Sequence, residues 1–163
     1  MKVTVLGSTG SIGQSTLDVV RLNSERYQIH ALVAGRNIKT LCSQIGEFRP
    51  AVAVVANGED VPRLRALLKS AAIPEPELAW GPQAYIDVAT APESGFLMSA
   101  IVGVAGLEAT FKAIRAGKRI GLANKETLVA AGKLVMDEVK RRGVELITVD
   151  SEHNGAHQCL RAG

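Results

Sequence analysis

The sequence predicts an α/β fold, a doubly wound and mostly parallel sheet with helices on both faces. Short β-branched runs alternate with stretches of helical period along nearly the whole chain, which is the rhythm of strand, crossover helix and parallel strand. Apolar residues make up 47% of the 163 positions but aromatics only 4%. The core must therefore come from Val, Leu, Ile and Ala, as in sheets covered on both faces. A glycine-rich bend between the first strand and the first helix supplies the sharp turn such a fold needs at its centre.

Each element follows from local pattern. Lys2 to Leu6 is the first strand and Ser11 to Leu22 the first helix; Gln28 to Val33 is the second strand and Ile38 to Ile45 the second helix, stopped by Pro50. Ala51 to Val55 is a third strand, and Asp60 with Pro62 behind it reads as a cap and start for a helix over Val61 to Ala71. Leu78 to Trp80 is a short strand and Pro82 to Thr90 a helix. Phe96 to Val102 is a strand, followed by a helix over Gly106 to Ala116 closed by Gly117. Arg119 to Ala123 is a strand, Lys125 to Arg142 one long helix closed by Gly143, and Val144 to Asp150 the last strand. Ala72 to Pro76 and Thr90 to Gly95 read as loops. With no repeat, low-complexity stretch or linker, residues 1–150 form one domain.

Composition excludes several function classes. The net charge of +3 is mild, and the basic runs Lys112 to Arg119 and Lys140-Arg141-Arg142 fall at helix C-termini, where cations suit the helix dipole. No nucleic-acid partner is expected. Cys42 and Cys159 have no Cys or His neighbours at zinc-site spacing, so neither a disulfide framework nor a structural zinc is expected. Strand-like sequence begins at Lys2, leaving no room for a signal peptide, and no apolar run approaches the roughly 20 residues of a membrane span. A cytoplasmic location without a membrane partner is expected.

Four segments carry chemistry. Gly7-Ser8-Thr9-Gly10-Ser11-Ile12-Gly13 has G-x-x-G-x-x-G spacing at the first strand-helix junction. Glycines let the backbone approach a pyrophosphate, the amides opening the helix face the anion, and Gly13 lets helix and strand pack closely. In that place the pattern reads as Rossmann-like dinucleotide binding, although a tight turn needs glycine in any case. After the second strand, where an acidic residue would hold the ribose 2′-hydroxyl of NAD, stand Ala34-Gly35-Arg36-Asn37. A guanidinium fork beside an amide suits a 2′-phosphate, hence NADP over NAD; a plain surface turn is the other reading.

The third segment, Gly121-Leu122-Ala123-Asn124-Lys125-Glu126, sits at a strand end on the same edge of the sheet. Lys125 could anchor a phosphorylated or hydroxylated substrate, or Asn124 could simply cap the helix with Glu126 in its first turn. The fourth, Val149-Asp150-Ser151-Glu152-His153-Asn154, places two carboxylates on one side of an extended strand end, an oxygen pair suited to a hard divalent cation. A solvated strand end, or Asp150 or Ser151 capping a following helix, is the alternative.

Together with Ala100-Ile101-Val102-Gly103 and Ala105-Gly106-Leu107, these segments occur in order along nearly the whole chain and resemble 1-deoxy-D-xylulose 5-phosphate reductoisomerases. The resemblance implies an NADPH-dependent, divalent-metal-dependent (Mg2+, Mn2+ or Co2+) enzyme of the methylerythritol phosphate route to isoprenoid precursors. Its substrate would be a phosphorylated ketose, rearranged and then reduced to 2-C-methyl-D-erythritol 4-phosphate. It further implies that Gly7, Thr9, Gly10, Ser11 and Ile12 cradle the pyrophosphate; that Gly35, Arg36 and Asn37 hold the 2′-phosphate; and that Asn124 and Glu126 touch the cofactor. Lys125, Ser151 and Glu152 would contact substrate, and Asp150 and Glu152 would be two of three acidic metal ligands. Lys125, Asp150, Ser151 and Glu152 are thus the catalytic candidates, with His153 behind the ligands.

Two departures stand out: Thr148 replaces the family's usual proline, and Gly155-Ala156-His157 replaces more apolar residues. Family members continue with a third carboxylate, further phosphate-binding residues, a lid and a helical domain. The resemblance therefore implies a fragment, residues 1–150 binding NADPH and 151–163 opening a catalytic domain, inactive alone, from a full-length protein expected to be a homodimer. A free-standing NADP-binding or regulatory module is the alternative. A short-chain dehydrogenase is excluded because the Tyr four residues before a Lys is missing: Tyr27 is followed at that spacing by Ala31 and Tyr85 by Ala89. A semialdehyde dehydrogenase is excluded because neither cysteine lies in a strand-helix bend.

Overall fold

The structure, a computed structural model, describes residues 1–101, 106–123 and 125–149, and only the backbone of residues 125–130. Among them the elements are β1 (Lys2–Leu6), α1 (Ser11–Leu22), β2 (Gln28–Val33), α2 (Ile38–Phe48), β3 (Val52–Val55), α3 (Asp60–Ser70) and β4 (Glu77–Trp80). There follow α4 (Gly81–Thr90), β5 (Phe96–Ser99), α5 (Leu107–Arg115), β6 (Arg119–Leu122), α6 (Lys125–Arg142) and β7 (Leu146–Thr148). The strands form one sheet in the order β4-β3-β2-β1-β5-β6-β7, and every pairing is parallel.

The chain starts at the centre, walks outward to β4, returns through α4 to the other side of β1, and walks outward again to β7. Because strand-helix-strand crossovers keep one hand, reversing the direction of travel moves the helices to the opposite face. One core packs Leu17, Leu41, Ile45, Leu64 and Leu68 of α1 to α3 on Val5, Leu32 and Val55. The other packs Tyr85, Val88, Ile114, Val135 and Val139 of α4 to α6 on Leu6, Val33, Leu97, Ile120 and Leu122. Buried hydroxyls are paired, as Thr4 Oγ1 donates to Ser94 Oγ at 3.0 Å and Ser99 shares a 2.8 Å bond with Thr110.

The basic runs do more than complement helix dipoles. Arg141 and Arg142 donate to Glu138, whose side chain is only 7% exposed, and Arg115 lies 3.8 Å from it. Burial pushes the Glu138 carboxyl up, but the two arginine hydrogen bonds outweigh it and hold the group below the usual range. Lys118 Nζ donates to the carbonyls of Ala91 and Ser94 at 2.6 and 2.7 Å, tying the loop before β5 to the strand before α6.

Several element ends differ from the sequence reading. The ladder of β5 stops at Ser99 because its partners stop there, with Leu6 and Leu122 as the last paired residues on either side. Likewise β7 spans only Leu146–Thr148, the stretch that finds partners on β6. Helix α2 continues to Phe48, and Arg49 in the left-handed region (φ 47°) closes it before Pro50 acts. Asp60 is not a cap. It lies inside the first turn of α3, where its carboxylate accepts from Arg63 at 2.9 Å. Helix α6 is not continuous: Ala131 (φ −142°, ψ 24°) breaks it beside Gly132, a residue that gives a helix little support.

Candidate cofactor and substrate site

In a wholly parallel sheet all strands end on one edge, and the connections leaving β1 and β5 depart to opposite faces. The crevice at the carboxyl ends of this pair is where open α/β sheets bind ligands. The Gly7–Gly13 turn sits there. Gly7 has φ +83°, and a Cβ on it would lie 2.5 Å from the carbonyl oxygen of Ala100, so the end of β5 closes directly on the turn. A Cβ on Gly13 would lie 2.2 Å from the Gly7 carbonyl oxygen and 2.7 Å from the Ser8 backbone. These two glycines are demanded by the protein's own packing.

Gly10 is different. Its backbone (φ −80°, ψ 170°) is open to any residue, and a Cβ there would meet only the Gly7 oxygen at an ordinary 3.5 Å. Nothing in the fold requires glycine at this exposed position. A ligand lying against the backbone would, because a side chain would occupy its space. The first bond of the α1 ladder runs from Gln14 N–H to the Gly10 oxygen, so the amides of Ser11, Ile12 and Gly13 stand ahead of it at the positive end of the helix dipole. No side chain caps them. Gln14 Nε2 donates to the Thr9 carbonyl at 2.9 Å and holds it back from that space.

Ser8 points away from the crevice. It is fully buried; its Oγ donates to Gln44 Oε1 of α2 at 2.8 Å, and Gln44 Nε2 donates to the Ser8 carbonyl at 2.9 Å. The sequence reading passed over Gln44, although a polar residue within the apolar stripe of Leu41, Cys42 and Ile45 was a legible signal. The amides of both Gly7 and Ser8 donate to the Val33 carbonyl at 2.9 Å, fastening the turn to the end of β2.

The next residues along β2 are those expected at a 2′-phosphate. Gly35, Arg36 and Asn37 are all exposed, and a Cβ on Gly35 would touch nothing within 4 Å. Arg36 makes no ion pair with a described residue, unlike Arg21, Arg63, Arg65 and Arg119. Asn37 caps α2, its Oδ1 accepting from Thr40 N–H at 3.1 Å, so its amide nitrogen is the part left for a ligand. On the same edge, Trp80 ends β4 and is 59% exposed, lining a cleft with Asn57, Glu59 and Pro82.

At the far end of the edge, Ala123 N–H bonds the Ser99 carbonyl and Val149 N–H bonds the Leu122 carbonyl. The backbone thus carries Lys125 and Glu126 to the head of α6 on the expected edge, while their side chains lie outside what is described. Asn124, Asp150, Ser151, Glu152 and His153 lie outside the described residues. Among the described residues no three His, Cys, Asp or Glu side chains gather as a metal site would require, and no helix is long and apolar enough to cross a membrane.

Comparison with known proteins places this arrangement. The family model for 1-deoxy-D-xylulose 5-phosphate reductoisomerase matches residues 3–132. Curated reductoisomerases of that name from Solibacter usitatus and Symbiobacterium thermophilum are 57% and 49% identical over 99% and 97% of this chain. Among solved structures, the Zymomonas mobilis reductoisomerase in complex with NADPH superposes with a TM-score of 0.89 at 45% identity over 97% of the chain. A second reductoisomerase, in complex with NADPH, fosmidomycin and magnesium, gives 0.90 at 38% identity over 98%. The chain spans 41% of the length of those curated relatives. Homoserine dehydrogenases and a biliverdin reductase, at 22% identity or less, share the fold. On the family match over residues 3–132 and the identity to curated relatives, this chain belongs to the 1-deoxy-D-xylulose 5-phosphate reductoisomerases.

Proposed function

We propose that this chain binds NADPH across the carboxyl ends of β1, β2 and β6 and is the cofactor-binding portion of a metal-assisted reductoisomerase. The reaction would convert 1-deoxy-D-xylulose 5-phosphate to 2-C-methyl-D-erythritol 4-phosphate, a step towards isoprenoid precursors. The observation that carries the cofactor reading is the pairing of an open Gly10 and uncapped α1 amides with an exposed Arg36, without an ion pair among the described residues, at the adjacent strand end. The Zymomonas mobilis relative in complex with NADPH supports it, and magnesium in the second relative supports metal dependence.

When bound, NADPH supplies the hydride and a divalent cation polarises the ketose oxygens. The chain's residues supply position. The amides of Ser11, Ile12 and Gly13 hold the pyrophosphate, and the Arg36 guanidinium forks onto the 2′-phosphate beside Asn37. Glu126 and Asn124 orient the cofactor nearer its reacting end. Lys125 and Ser151 anchor the substrate, and Asp150 and Glu152 present oxygens to the cation. Residues 1–150 form the cofactor domain and 151–163 open a catalytic one. With two of the family's three acidic ligands, the 163-residue chain by itself is inactive in this proposal.

Binding is the direct test. Trp80 is the only tryptophan, and its exposed indole on the cofactor edge reports NADPH by quenching through spectral overlap, with calorimetry as a check. Saturable binding of NADPH, tighter than NADH, is the expected result; equal affinity for both removes the assignment of Arg36.

A further inference from the structure

Beneath the cofactor crevice lies the buried Ser8–Gln44 pair. The loop Ala34 to Asn37 that would read the 2′-phosphate has little packing of its own, since Gly35, Arg36 and Asn37 are exposed. Its position is set by its two ends. At one end Val33 accepts from the amides of Gly7 and Ser8, and Ala34 N–H bonds the Val54 carbonyl. At the other end the loop becomes α2, which is held against the turn by the two reciprocal Ser8–Gln44 hydrogen bonds. Ser8 is 0% and Gln44 7% exposed, so these bonds face no competition from water. The apolar stripe Leu41, Cys42 and Ile45 holds α2 on the sheet without fixing its polar contacts to the turn. At its opposite end the polar contacts of α2 with α1 are the exposed Arg21–Glu47 ion pair and the Arg21 guanidinium over Phe48, of the kind that contribute little.

We infer that Gln44, through its paired hydrogen bonds with Ser8, is a positioning residue for cofactor selectivity: it fixes the spacing between the pyrophosphate turn and the Arg36 loop. The inference rests on the reading of Arg36 above. The pyrophosphate and the 2′-phosphate belong to one molecule, so its affinity draws on both contacts only when turn and loop hold the matching spacing. A shift of the α2 N-terminus costs the Arg36 contact its share of the binding while the turn keeps its own.

The test is a double-mutant cycle on the 163-residue chain. Dissociation constants for NADPH and NADH are measured in the parent, R36A, the S8A/Q44L pair, and S8A/Q44L with R36A added, with melting temperatures recorded alongside. Removing both side chains together leaves neither side-chain group orphaned, and the one polar group that loses its donor is the Ser8 carbonyl, whose cost the melting temperature reads. Should that variant not fold, Gln44→Met serves in its place. In the parent, Arg36→Ala is expected to weaken NADPH by at least 10-fold. In the S8A/Q44L background the NADPH over NADH preference should fall at least 10-fold, and Arg36→Ala should then cost less than 3-fold.

A merely structural pair would lower the melting temperature and leave that preference unchanged. Equal Arg36→Ala penalties in the two backgrounds overturn the inference and leave the cofactor reading intact. No Arg36→Ala penalty in the parent overturns both.

Discussion

At the β1 end of the carboxyl edge, Gly7 and Gly13 are fixed by backbone contacts, Ser8 by a buried pair, and the turn by two bonds to Val33. At the β6 end, Lys125 and Glu126 stand at the head of a helix broken at Ala131, beyond a three-residue final strand whose residues are all half-buried. The first region is built from residues whose partners lie in β1, β2, α1, α2 and Ala100, the residue just past β5. The second is carried by the end of β6 and by the first turns of α6, of which only the backbone is described. Under the proposed function, the cofactor turn is thus the end of the edge whose geometry the described contacts fix.

The largest expected effect concerns that second end. In a steady-state assay with 1-deoxy-D-xylulose 5-phosphate, NADPH and Mg2+ or Mn2+, the 163-residue chain should show no turnover, many orders of magnitude below an intact relative such as the Solibacter usitatus enzyme. Rearrangement draws on remote binding energy and water exclusion that two carboxylates alone cannot supply. Metal-dependent NADPH oxidation by the chain would erase the contrast and make Lys125, Asp150, Ser151 and Glu152 a sufficient site.

Next come the glycines. Gly13→Val should destabilise the chain by about 3 kcal/mol in urea unfolding, because the new Cβ meets only backbone and nothing can move aside. Gly10→Val should stay within about 1 kcal/mol of the parent in the same measurement, as ordinary surface substitutions do, yet lose measurable binding of both cofactors. A Gly10→Val variant that folds and binds NADPH as before would make the turn structural and nothing more. Arg36→Ala is smaller in reach: a loss of roughly 1.5 to 3 kcal/mol for NADPH, the size of a charge-assisted contact, with NADH affinity untouched in calorimetry.

The smallest effect sharpens the comparison from below, at the opposite edge of the sheet. His30 lies at the bulge where β1 and β2 shift register, 7% exposed, and its Nδ1 has no hydrogen-bond partner among the described residues. Burial lowers its pKa from the ordinary 6.5. The unfolded chain therefore takes up a proton that the folded one resists, and stability falls as pH drops from about 6.5 towards the folded value. The urea midpoint should decline over that window, and His30→Leu should flatten the decline while leaving NADPH binding at neutral pH unchanged. A slope identical in the variant would assign the effect to other groups.

Much of this was legible in the sequence, and the misses share a cause. The ends of β1, β2 and α1 coincide with their sequence limits because local signals decide them: a β-branched run closing on Gly7, and a helix opening at Ser11 behind Gly10. Local pattern extends the strand at Phe96 to Val102, but the paired length of β5 is set by β1 and β6, which no local pattern reveals. The break at Ala131 stands beside a glycine that was in plain view, outweighed by strong periodicity on both sides. For the site, Thr9, Gly10 and Arg36 came from motif position alone. Ser8–Gln44 is a contact across α1 between residues far apart in sequence, and it required the packing of α2 on the turn to become visible.

The order of the sheet also constrains how the molecule assembles in time. Strand β1 lies at the centre, yet its partner on one side, β5, follows β2, β3 and β4 along the chain. During synthesis the first half can form a four-stranded sheet with its helices on one face, while one edge of β1 and the apolar face formed by Leu6, Val33 and Val54 wait for α4 and β5. An open edge of that kind is a template for misplaced pairing, and contacts this distant in sequence are slow to close. Refolding at high chain concentration is therefore the step at which this protein is most exposed to aggregation, and dilution or a chaperone that shields the edge of β1 should raise the yield.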